Sequence, residues 1–108
     1  MQVTQAERTQ YTQAMKDGNG TAHAFDNRAR VYVVSKLDKP FAKLGMVWRY
    51  QVTMRRDYDV DHSIFCVSLA SALDMAREYM PEDMTSAPYW HAGAVPSQAT
   101  GASVAGQQ

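Results

Sequence analysis

At 108 residues, 45% hydrophobic and 20% charged, the chain has the size and composition of one globular domain, and no apolar run approaches the roughly 18 residues of a membrane-spanning helix. The N-terminal Met1-Gln2-Val3-Thr4-Gln5 lacks the basic start and apolar stretch of a signal peptide, so a cytoplasmic setting without membrane attachment is the expectation. Net charge is zero, yet residues 1–27 carry two bases and three acids, residues 28–56 eight and one, and residues 57–83 one and seven. This lengthwise separation, and not the total, constrains the partner.

The first predicted element is a helix from about Thr4 to Asp17. Thr4 and Glu7 form a capping box, and Gly18 supplies a left-handed stop. Its apolar positions are sparse, which predicts a surface helix. Thr21 to Phe25 is admissible as a short edge strand. The run Val31-Tyr32-Val33-Val34 predicts a strand from about Arg30 to Leu37, ended by Asp38-Lys39-Pro40. From Met46 to Arg56, Met46, Trp48, Tyr50, Val52 and Met54 alternate with Val47, Arg49, Gln51, Thr53 and Arg55, the signature of a strand with one apolar and one polar face.

An acidic turn, Asp57 to Asp61, leads to a third strand from about His62 to Val67. A helix follows from about Leu69 to Met80, capped by Ser68 and halted by Pro81, with Leu69, Leu73, Ala76 and Met80 on one face and Asp74, Arg77 and Glu78 outward. The predicted architecture is α+β: a small antiparallel sheet of three or four strands between an N-terminal and a C-terminal helix, in the order α-β-β-β-α. Residues 1–84 form the domain. Residues 85–108 carry no Asp, Glu, Lys or Arg and are expected to be a flexible tail, partly docked by Tyr89 and Trp90.

The alternation leaves Arg49, Gln51, Thr53 and Arg55 on the face opposite the core, and the neighbouring strand is expected to add Arg30, Tyr32 and Lys36 to it. Such a basic platform attracts an acidic protein, or attracts phosphates while Tyr32 stacks a base. The plainer alternative is that the acidic turn or the acidic final helix neutralises these bases inside the fold. Tyr89 and Trp90 are interface anchors on one reading and a cap for the core on the other.

No metal or cofactor is expected. Asp57, Asp59 and Asp61 resemble the start of a calcium loop, but His62 stands where that loop needs glycine and Ser68 where it needs glutamate. His23, His62 and His91 are scattered, and Cys66 sits in the apolar run Ile64 to Val67, where a thiol is a small inert hydrophobe. With no catalytic motif, no enzyme is expected. The order helix, strands, helix over Thr4 to Met80 is similar to the double-stranded RNA-binding domain in topology. That family's lysine cluster at the start of its final helix is absent from Ser68 to Asp74, so its RNA contacts do not carry over.

The resulting expectation is a non-catalytic interaction protein, in the style of small phage or mobile-element accessory proteins and inhibitors, gripping an acidic protein through Arg30, Tyr32, Lys36, Arg49, Gln51, Thr53, Arg55, Tyr89 and Trp90. The alternatives are a nucleic-acid binder using the same face and a structural subunit whose tail orders on its neighbour.

Overall fold

A computed structural model describes residues 3–56, 59–84 and 86–92, with only the backbone at 59–61. Thr4 caps the first helix, α1 (Gln5–Asp17), by accepting a hydrogen bond from the Glu7 amide at 3.1 Å. The reciprocal half of the expected capping box is replaced, because the Glu7 side chain turns inward to a buried ion pair described below. Gly18 closes the helix at φ −88°, so the left-handed positions fall one step later, at Asn19 (φ 59°) and Gly20 (φ 98°). At Gly20 a Cβ would come within 3.2 Å of Lys36 Cβ, and the Gly20 carbonyl accepts from the Lys36 amide at 2.7 Å. Only glycine fits both the dihedral and the close approach.

Five strands follow the order β4-β3-β2-β1-β5 in one fully antiparallel sheet. They are β1 (Thr21–Phe25), β2 (Val31–Lys43), β3 (Met46–Arg56), β4 (Asp59–Cys66) and β5 (His91–Ala92), with the helix α2 (Leu69–Tyr79) between the last two. The class is therefore α+β as expected, with more strands than predicted. The topological likeness to α-β-β-β-α holds only roughly, since β1 and β5 widen the sheet.

Asp38-Lys39-Pro40 does not end β2. The ladder with β3 slips between Lys36 and Phe41 and resumes through Phe41↔Trp48, Ala42↔Val47 and Lys43↔Met46. An irregularity of this kind accommodates proline, which has no amide to give. The two strands close through Leu44 (φ 55°) and Gly45 (φ 75°), consecutive positive φ values of the kind a type I′ hairpin requires. β4 likewise starts before the predicted His62, with Asp59 in register with Arg56. Residues 57 and 58 of the expected acidic turn lie outside the described residues.

Alternate strand residues Ala22, Ala24, Tyr32, Val34, Val52, Met54 and Cys66 share one buried cluster with Tyr11, Ala14 and Met15 of α1 and with Ala72, Leu73 and Ala76 of α2. Both helices thus cover the same side of the sheet. Ser68 caps α2 by accepting from the Ser71 amide at 3.1 Å, and the helix yields to an extended Met80 (ψ 152°) ahead of Pro81.

One feature of this layer departs from expectation. Arg77 does not point outward: it is 9% exposed, and its Nε lies 3.2 Å from Glu7 Oε2. The same oxygen accepts from the indole Nε1 of Trp90 at 2.9 Å, while Glu7 Oε1 has no hydrogen-bond partner among the described residues. The ordered fold also continues past the composition boundary at residue 84. Trp90 is 1% exposed, its amide donates to Gln10 Oε1 at 2.7 Å, and its ring meets Tyr11 edge-on at 5.1 Å. Trp90 thus fixes β5 against β1 and α1.

Candidate functional site

Strand alternation and register decide which side chains share a surface. Tyr50, Val52 and Met54 lie toward the helices, so Arg49, Gln51, Thr53 and Arg55 occupy the opposite, open face of β3. Gln51 is braced there by a 2.6 Å hydrogen bond from its Nε2 to Ser63 Oγ of β4. Arg49 and Arg55 are solvent-exposed. No described helix covers this face. Two acids of the α2 region meet other cations: Asp74 pairs with Arg8 at 3.3 Å and Asp83 with Arg28 at 3.0 Å.

The expected contribution of Arg30, Tyr32 and Lys36 to that face is corrected by the β2–β3 register. Tyr32 pairs with Met54 and Lys36 with Tyr50, which puts both on the helix side. Tyr32 is fully buried, and its hydroxyl donates to Asp26 Oδ2 at 2.8 Å and lies 3.1 Å from the Tyr79 carbonyl. Burial, reinforced by the Asp26 carboxylate, pushes its pKa up to about 12. It is a structural post that closes the Asp26 turn, not a stacking residue. Arg30 stands beside this hydroxyl, and Lys36 is exposed at the base of the β2–β3 hairpin near Gly20. Tyr89 and Trp90 part company: Tyr89 is 67% exposed while Trp90 is interior.

Two surfaces escaped the sequence. The distal β2–β3 hairpin forms an arm that exposes Leu44 (83%), Met46 (48%), Val47 (41%) and Phe41 (37%), the last packed edge-on against exposed Phe65 of β4 at 5.1 Å. Lys39, Lys43 and Arg49 of the same hairpin are exposed too, with Asp38 the one acid between residues 36 and 49. A β-hairpin ends readily in Asn-Gly, but a leucine before that glycine is an unusual turn signal, and the preceding proline pointed to a strand end.

The second surface lies at the β1–β5 edge. His91 is opposite His23 in register, and its ring lies 5.9 Å from His23, 6.2 Å from Phe25 and 5.9 Å from Tyr89, with interplanar angles of 18°, 20° and 19°. Burial, and next the neighbouring His91, lower the pKa of His23. No periodicity could announce this cluster, because β5 is two residues long.

Among the described residues, no group of three or more His, Cys, Asp or Glu is placed to hold a metal ion. Cys66 is buried, and burial raises its pKa, which keeps the thiol neutral and poorly nucleophilic. No described helix is long and apolar enough to cross a membrane.

Fold and surface together define a small two-layer α+β domain with one open sheet face and a projecting hairpin. No protein-family model, no curated protein and no solved structure matches the chain.

Proposed function

We propose that this chain is a non-catalytic interaction protein whose basic β2–β3 arm, continuous with the Arg49 to Arg55 side of the sheet, docks an acidic protein. The observation that carries the reading is the tip itself. Leu44 is 83% exposed in the left-handed region, on a hairpin whose Met46, Val47 and Phe41 are also exposed and which carries the exposed Lys39, Lys43 and Arg49. An apolar group held in solvent has no folding benefit, and a leucine at positive φ costs stability. Both costs are offset if the tip enters an apolar pocket on a partner, with the surrounding cations steering a carboxylate-rich rim into register. Aliphatic side chains at the tip find more complementary surface on a protein than on a phosphate backbone.

The reading is tested by a photo-crosslinking amino acid at position 44 in the full chain, expressed in its source cells, with the same group at Glu78 on the helix layer as control. The expected result is an acidic protein crosslinked from position 44 alone, lost when Lys43 and Arg49 are both replaced by glutamate in a variant that still folds. Equal crosslinking from both positions, or yield unaffected by the charge reversal, overturns it.

A further inference from the structure

We propose that the aromatic strip of Phe25, Tyr89 and His91, with His23 behind it and Arg55 beside it, is a stacking surface for single-stranded nucleic acid. This goes beyond the arm reading, since none of its rings belongs to the arm and only the cations Arg49 and Arg55 are shared.

The argument begins with ring geometry. Three contacts radiate from His91, and in each the rings are within 20° of parallel, so the four side chains share nearly one orientation. Tyr89 is 67% exposed and Phe25 40% exposed, leaving ring surface open to a flat ligand. Every nucleobase presents a π-face, and aromatic platforms of this kind bind single strands with little sequence preference. The strip consists of planar rings with polar edges and not of branched aliphatics, which favours a planar ligand over a protein knob.

Charge placement agrees. Register runs Phe25↔Val31↔Arg55, so the exposed Arg55 lies two strands from the Phe25 ring, about 10 Å at ordinary strand spacing. That is within reach of the phosphates flanking a stacked base, and Arg49 extends the cationic line along β3. Two carboxylates of the neighbouring clefts are engaged within the fold. Asp26, in the cleft beside Phe25 and Tyr89, accepts from the amides of Arg28 (2.7 Å) and Arg30 (3.1 Å) and from Tyr32. Asp17, in the cleft between α1 and His91, accepts from Gln13 Nε2 at 2.8 Å.

A single strand is specified because these rings sit on a broad sheet surface and need bases already free of their pairing partners.

The test is fluorescence anisotropy of the full chain with labelled oligo-dT and oligo-rU of about 15 nucleotides. The expected affinity falls steeply between about 50 and 200 mM salt. Tyr89→Ala and Phe25→Ala should each weaken binding by roughly 5- to 150-fold, whereas Tyr89→Phe, which keeps the ring, should retain it. Thermal melting of Tyr89→Ala should match the parent, because that ring is mostly in solvent. A duplex of equal length should bind less tightly. Three results would overturn the proposal: no anisotropy change at the lowest salt, which would leave the strip to a protein partner; Tyr89→Ala binding as well as the parent; or duplex bound as tightly as single strand, which would assign any affinity to charge alone.

Discussion

Replacing Leu44 with asparagine should make the protein more stable and less able to capture its partner. Leu44 sits at φ 55°, where an L-residue with a bulky side chain is strained and asparagine is tolerated. Relief of that strain is worth about 1 kcal/mol. Against it stands the packing that leucine loses. The side chain is 83% exposed, so only about a sixth of its surface is covered, worth under about 0.5 kcal/mol. The balance is a gain of roughly 0.5 to 1 kcal/mol, which for a domain of this size raises the melting temperature by about 2–4 °C. Circular dichroism melts of parent and variant read the first effect, and crosslinking from a neighbouring tip position such as Val47 reads the second. A lower melting temperature for Leu44→Asn would refute the reasoning, since it would mean that the leucine is packed or that the turn is not left-handed there. A stabilised variant with undiminished capture would remove the tip from the interface.

Further outcomes follow from the interior. Trp90→Ala should cost about 3–5 kcal/mol in urea unfolding, and Trp90→Phe about 1.5–3, since phenylalanine keeps much of the ring but leaves Glu7 without the indole donor; a near-neutral Trp90→Ala would place the segment outside the core. Glu7→Gln and Arg77→Met should each be strongly destabilising, by about 3–5 kcal/mol, because each removes one half of a buried ion pair. The double variant should lose distinctly less than the sum, and strict additivity would show that the pair is not coupled. His23 has a folded pKa below its ordinary 6.5, so the unfolded chain takes up the proton first. Its contribution is complete above that value and is lost as pH falls through 6.5 toward the folded pKa, with a slope of at most about 1.4 kcal/mol per pH unit. Denaturant midpoints across that window should fall for the parent and fall less for His23→Asn; identical profiles would contradict the burial of the imidazole.

The open-face cations came through the register intact because they belong to one strand. Alternation within Met46 to Arg56 is a local property, so Arg49, Gln51, Thr53 and Arg55 were legible as one surface. Assigning Tyr32 and Lys36 to the same surface required knowing how β2 pairs with β3. Because the side-chain period is two, a pairing offset by a single residue exchanges the faces, and Tyr32 opposite Met54 is buried where Tyr32 opposite Thr53 would have been exposed. This register is decided by the slip between Lys36 and Phe41 together with a turn at Leu44, a residue whose propensity argues against the conformation it holds.

What the amino-acid order determined by itself was local: the caps at Thr4 and Ser68, the stop at Pro81, the alternation along β3 and the unequal blocks of charge. Each depends on residues within a few positions of one another, where backbone sterics and hydrogen bonding act directly. The tertiary structure alone decided that Arg77 turns inward to Glu7, seventy positions away, and that Trp90, and not Tyr89, is the aromatic that closes the core. It also decided that rings from β1, β5 and the preceding Pro88-Tyr89 segment meet on one open face. Those outcomes depend on desolvation and packing between distant segments, whose free energy exists only once the chain has brought them together.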